Sequence, residues 1–124
     1  MAARQQMLAF GCRADDVAVL TGTVEKMHST LRVIDDPGEF ARRAVAQTSF
    51  AVVLGIGQDS LSHLDLISVI RAVRDELPVI LIADDASLEL ERRARQQKIF
   101  YYLIHPIERS EVEAVLRDLV RCRK

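Results

Sequence analysis

Two residues of this sequence stand where nucleophilic chemistry is often done. Cys12 follows the apolar run Met7–Phe10, and His105 follows the run Phe100–Ile104. A thiol at the start of a helix is more easily ionised, and a nearby imidazole can take its proton. A Cys12–His105 pair would suit group transfer, but no third group is evident to orient the histidine. The arginine that a cysteine-dependent phosphatase needs after its nucleophile falls on Ala18, and His28 lies at the far end of the intervening helix. The simpler reading is a small apolar cysteine beside a polar filler histidine. Two acid doublets, Asp35-Asp36 and Asp84-Asp85, invite a hard cation, which wants converging carboxylates. Asp36-Pro37-Gly38-Glu39 is better explained as a helix start, and Asp84 or Asp85 as the cap of the next helix. Asp15-Asp16 read as the opening of the first helix, and His63 as an exposed filler opening another. Gly11 stands alone, and Gly55-x-Gly57 runs into Gln58-Asp59-Ser60, so no phosphate-cradling loop is present. The basic residues Arg92, Arg93, Arg95 and Lys98, and Arg117, Arg121, Arg123 and Lys124, are interleaved with Glu89, Glu91, Glu111, Glu113 and Asp118. With no aromatic platform among them they read as solvated, salt-bridged faces and exclude a nucleic-acid groove.

The positioning elements follow from periodicity. The apolar runs Met7–Phe10, Leu31–Ile34, Ala51–Ile56, Val79–Ala83 and Phe100–Ile104 alternate with amphipathic stretches. Val52-Val53-Leu54 and Val79-Ile80-Leu81-Ile82 are continuously apolar, the pattern of strands covered on both faces. Helices are expected over Asp15–Met27 (Val17, Leu20, Thr21 and Val24 inward), from Asp36 (Phe40, Ala44 and Val45 inward), and over Ser62–Leu77 (Leu66, Ile67, Ile70, Val73 and Leu77), with Pro78 as the stop. A fourth, over Ser87–Gln97, has only Leu88, Leu90 and Ala94 to pack. The fifth opens on the capping box Ser110-Glu111-Val112-Glu113, with the stripe Val112, Val115, Leu116, Leu119 and Val120. Five β-α units with right-handed crossovers predict an α/β fold: a parallel sheet of order 2-1-3-4-5 with helices on both faces. In such sheets the functional crevice lies beyond the carboxyl ends of the strands.

Composition agrees. The chain has 124 residues, 49% hydrophobic and 28% charged, enough for one domain with its own core, taken as residues 1–124. Seventeen Lys plus Arg against eighteen Asp plus Glu leave a formal charge of −1, so no net field draws in nucleic acid or an anionic membrane. The apolar runs are far too short to span a bilayer or make a signal peptide, and the two cysteines lie near opposite ends of the sequence. A soluble, cytoplasmic domain is expected.

The layout resembles the receiver domains of bacterial response regulators, the chemotaxis-type, flavodoxin-like family, from Met7 to about Arg121. The resemblance rests on Phe50-Ala51-Val52-Val53-Leu54-Gly55-Ile56, Leu77-Pro78-Val79-Ile80-Leu81-Ile82-Ala83 and Tyr101-Tyr102-Leu103-Ile104-His105-Pro106-Ile107. These look like the strand that carries the family's phosphoacceptor aspartate, its Pro-led strand ending in Thr or Ser, and its aromatic strand ending in Lys-Pro. The family's chemistry is missing. Its paired Mg²⁺-binding acids correspond to Gly11 and Cys12, its phosphoacceptor to Gly55, its switch hydroxyl to Ala83 and its lysine to His105. Pro106, expected after a cis bond, and the switch aromatic, Tyr102, are kept.

The resemblance therefore implies a pseudoreceiver: no catalysis, no metal, no cofactor, and a degenerate pocket of Gly11, Cys12, Gly55, Ala83 and His105. Its expected role is phosphorylation-independent signalling by contact with a protein partner or a second copy. The face would be the fourth helix, fifth strand and fifth helix, with Tyr101 or Tyr102, Arg92, Arg95, Glu108, Arg109 and Glu111. The preferred context is the regulatory domain of a response regulator or enhancer-binding transcription activator. Two alternatives remain open: a Cys12-dependent enzyme or phosphocysteine carrier, and a small-ligand sensor using the emptied pocket, unless Ile56 or His105 fills it.

Overall fold

The structure, a computed structural model, describes residues 5–46, 49–57 and 61–122. Ten elements alternate: β1 (Gln6–Phe10), α1 (Ala14–Lys26), β2 (Thr30–Ile34), α2 (Pro37–Ala44), β3 (Ser49–Ile56), α3 (His63–Val73), β4 (Val79–Ala83), α4 (Leu88–Arg95), β5 (Tyr101–Ile104) and α5 (Arg109–Cys122). All strand pairings are parallel and the order is β2-β1-β3-β4-β5. Every residue of β3 and β4 is buried, as their unbroken apolar runs require.

Alternation along the strands sorts two cores. Leu8, Phe10, Val52, Leu54, Val79 and Leu81 meet Phe40 of α2, Leu64, Ile67 and Ile70 of α3, and Leu90 of α4. Met7, Ala9, Val53, Ile80, Ile82 and Leu103 meet Leu20 and Val24 of α1 and Val112, Val115, Leu116 and Leu119 of α5. Helices thus cover both faces, and one end of the sheet collects the loops after β1, β3, β4 and β5.

Several local expectations are corrected. α3 ends at Val73 instead of Leu77: Arg74 leaves the helix (φ −124°, ψ 85°), and its guanidinium donates to the carbonyls of Ala44 and Ser49. Leu77 is still buried, from a loop, whereas Val73 is 63% exposed. The buried α3 stripe is Leu64, Ile67 and Ile70, with Leu64 an addition to the expected positions. On α4 only Leu90 and Ala94 pack; Leu88, in the first turn, is exposed. Ser87 caps α4, its Oγ accepting from the Leu90 N–H, so neither Asp84 nor Asp85 is its cap. α5 begins at Arg109, with the Val112 N–H on the Glu108 carbonyl, which puts Ser110 inside the first turn and leaves Val120 exposed. Asp36 caps α2 as its sequence suggests, Oδ2 accepting from the Glu39 N–H at 2.8 Å with Pro37 at the first position.

Candidate functional site

The carboxyl ends of β1, β3 and β4 bring Gly11, Cys12, Gly55 and Ala83 into one neighbourhood. Gly55 pairs in register with Ile82, and Ala83 with Ile56. The pocket expected there is closed. A Cβ on Gly55 would run into the carbonyl oxygen of Gly11, and would lie 2.6 Å from the Gly11 carbonyl carbon and 2.9 Å from the Cys12 nitrogen. The β1–α1 loop lies against β3, in the space where a side chain at position 55 would begin. Gly11 takes φ +75°, a left-handed conformation suited to glycine.

The second closing group is His63, which is a contact residue and no exposed filler. Its ring is half-buried, its Nδ1 lies 2.8 Å from the Gly55 carbonyl oxygen, and its centroid is 4.8 Å from that of Phe10. It also covers Gly11, where a Cβ would come within 2.9 Å of Cε1. A histidine at the start of α3 is carried back over the end of β3, a placement no periodicity reveals. The groups that fill the pocket are this ring and the Gly11–Cys12 backbone, instead of Ile56 or His105.

His105 faces elsewhere. Its Nδ1 is 2.7 Å from Asp16 Oδ2, and its Nε2 is 3.8 Å from Asp15 Oδ2. Asp16 is buried, 1% exposed, and its Oδ1 accepts the Ile107 N–H at 3.2 Å. It is no ordinary residue of a helix opening: it ties α1 to the β5–α5 loop, just where the His105–Pro106 bond is cis. Burying a carboxylate is tolerable only with such donors.

Cys12 is not paired with His105, both of whose ring nitrogens face acids. The thiol is pushed up to about 12, chiefly by burial and then by the negative charge of Asp16. It is a neutral thiol at physiological pH, and a neutral thiol is a weak nucleophile. Asp84, from the second acid doublet, pairs with Arg13 (Nε–Oδ1 3.3 Å) at the exposed rim, beside Gly57. Gln58, Asp59 and Ser60 lie outside the described residues.

A receiver's Mg²⁺ does not fit this arrangement. It needs clustered oxygen ligands, and the matching positions offer a glycine, a half-buried neutral thiol and a second glycine.

On the α4–β5–α5 face, the Arg95 guanidinium lies 5.9 Å from the Tyr102 ring centre and pairs with Glu91 at 2.9 Å. Tyr102 packs on the core, and its hydroxyl is buried without a hydrogen-bond partner among the described residues; burial, first, raises its pKa. Arg92, Glu108, Arg109 and Glu111 are exposed. Leu88, Tyr101 and Ile104 add exposed apolar surface, 74%, 40% and 39% accessible.

No protein-family model and no curated protein matches the chain. Solved structures do. A CheY-like protein (TadZ) from Pseudomonas aeruginosa superposes with a TM-score of 0.79 at 16% identity, over 94% of both chains. A CheY-like receiver domain protein from Methanospirillum hungatei gives 0.75 at 18% identity, over 98% of both. NtrX from Brucella abortus gives 0.80 at 17% identity, over 97% of this chain but 28% of NtrX. The chain therefore has the fold of CheY-like response-regulator receiver domains. Among the described residues, no helix is long and apolar enough to cross a membrane.

Proposed function

We propose that this chain is a pseudoreceiver, a signalling module that works without phosphorylation and without catalysis, through contact with another protein. The observation that carries the reading is the Gly11–Cys12 backbone lying where a side chain at position 55 would begin. With that space taken there is neither a phosphoacceptor nor room for one, and Ala83 has no hydroxyl to follow a phosphoryl oxygen. Adding Mg²⁺ and acetyl phosphate should change neither intact mass nor melting temperature. A stable phosphoryl adduct overturns the reading.

The contact face we assign is α4–β5–α5. Exposed apolar groups at Leu88, Tyr101 and Ile104 beside the charges of Arg92, Arg95, Glu108, Arg109 and Glu111 make a mixed surface suited to protein docking. The same surface, turned on a second copy, could pair its opposite charges reciprocally. Light scattering across concentration and salt separates the two: self-association that weakens with salt identifies the second copy, and a strict monomer leaves a different protein as the partner. The match to 28% of NtrX shows this fold as one part of a longer chain; the setting we assign, on the receiver-like residues of β3, β4 and β5, is the regulatory domain of a cytoplasmic response regulator or transcription activator.

A further inference from the structure

We propose that His105 and Asp15 form a site for a borderline divalent ion such as Zn²⁺ or Ni²⁺, and that the buried Asp16 positions the histidine. The inference is independent of the signalling reading. Ligand atoms of Asp15, Asp16 and His105 lie within 4.8 Å of one another, joining the start of α1 to the loop after β5. The feature is more than an acidic cluster, because one carboxylate is spent on the imidazole. Asp16, 1% exposed, takes the Ile107 N–H on one oxygen, and its other oxygen lies 2.7 Å from His105 Nδ1. With the Asp16 carboxylate accepting at Nδ1, Nε2 on the opposite side of the ring is the nitrogen that an ion would take in place of a proton. A metal-ligating imidazole usually donates its other ring N–H to a carboxylate, which fixes the ring's orientation.

Nε2 faces Asp15 Oδ2 across 3.8 Å. Metal–nitrogen and metal–oxygen bonds of about 2.0–2.2 Å at a tetrahedral angle need about 3.4 Å between the two ligands. Asp15, whose side chain is 68% exposed, can turn the few tenths of an ångström required, and the His105 side chain is 19% exposed, so an ion has an entry path. Water completes the coordination. A nitrogen ligand with one carboxylate suits Zn²⁺ or Ni²⁺ and not Mg²⁺. A bound ion would clamp α1 to the β5–α5 loop.

The full chain should be titrated with ZnCl₂, NiCl₂ and MgCl₂ by calorimetry and by ¹H–¹⁵N NMR. Expected is saturable one-to-one Zn²⁺ binding with perturbed amides at Asp15, Asp16, His105 and Ile107, Ni²⁺ broadening centred on His105, and no response to Mg²⁺. Asp15→Asn, at an exposed position, should keep the fold and weaken Zn²⁺ binding by about tenfold or more. His105→Gln, if folded by its NMR spectrum, should abolish it. No saturable binding, an unchanged affinity in Asp15→Asn, or broadening centred on His28 or His63 would each overturn the assignment.

Discussion

Replacing Gly55 with alanine tests the closed pocket most directly. In an ordinary strand interior the exchange is favourable, because alanine has less backbone freedom to lose, by about 0.5–1 kcal/mol. Here the new methyl would meet the Gly11 carbonyl, its carbon at 2.6 Å and the Cys12 nitrogen at 2.9 Å, all backbone atoms that no rotamer change can withdraw. Forcing the β1–α1 loop away from β3 also disturbs the His63 contact with the Gly55 carbonyl. Overpacking against an unyielding neighbour costs about 1–3 kcal/mol, and a backbone neighbour belongs at the upper end. For a chain of 124 residues, an unfolding entropy of about 2.1 cal/mol/K per residue converts a 3 kcal/mol loss into a drop of about 12 °C in Tm. Two sister variants calibrate the measurement. At Gly22, inside α1, nothing lies within 4 Å of a new Cβ, so Gly22→Ala should stabilise by up to about 1 kcal/mol. At Gly57 the new atom meets the Asp84 carboxylate, an exposed side chain that can swing away, losing only a rim ion pair worth about 0.5 kcal/mol. Calorimetric melting of the three variants should rank Gly22→Ala above wild type, Gly57→Ala near it, and Gly55→Ala far below. A Gly55→Ala protein that melts at or above wild type refutes the close approach of β1–α1 to β3, and with it the argument that no side chain fits there.

Three further outcomes follow from the same geometry. The unfolded Cys12 thiol ionises near 9.0 and the folded one at about 12, so between these values the unfolded state has lost a proton that the folded state keeps. Stability from this group is complete below pH 9 and falls as pH rises, by up to about 1.4 kcal/mol per pH unit; urea unfolding from pH 8 upward should show a slope that Cys12→Ala reduces, and native Cys12 reacting with a disulfide reagent as fast as a free thiol contradicts it. Asp16→Asn should cost about 2–3 kcal/mol, because the amide cannot accept from both the His105 ring and the Ile107 N–H, whereas Asp15→Asn should stay within about 0.5 kcal/mol; equal effects in urea titration would contradict a structural role for Asp16 alone. His63→Ala should lose about 1–2 kcal/mol with its hydrogen bond to Gly55 and its contact with Phe10, and amide exchange at Gly11 and Cys12 should quicken; unchanged exchange would mean that the ring does not seal the loop.

The sheet was legible because its information is local and redundant. Val52-Val53-Leu54 and Val79-Ile80-Leu81-Ile82 have too many consecutive apolar groups to face water on either side, and the amphipathic stretches between them leave one layered solution. Leu88 and Val120 were misplaced because an apolar residue at helical spacing near a helix end often overhangs the core; only the neighbouring strand's position decides. The closed pocket was half legible. That Gly55 and Gly11 lack side chains is plain from their letters, but their backbones' approach to one another is a fact of tertiary packing. Asp16 and His105 are far apart in the chain, and neither lies in a pattern that announces the other. A buried carboxylate is also what composition argues against, so its signal was available only as the coincidence of an acid early in α1 with a non-lysine at the end of β5.

The two glycines also bear on how such a pocket could be reopened. Position 55 has no room because the Gly11 carbonyl is there, and that carbonyl is there because Gly11 takes a left-handed turn beneath the His63 ring, whose own Nδ1 is engaged by the Gly55 carbonyl. Each contact presupposes the others. An aspartate placed at 55 alone therefore meets backbone before its carboxylate can reach solvent, and an acid placed at 11 alone needs an unfavourable φ and displaces the histidine. Introducing single receiver-type residues should destabilise the chain without conferring phosphorylation, since only a concerted change of loop, ring and strand end would vacate the space.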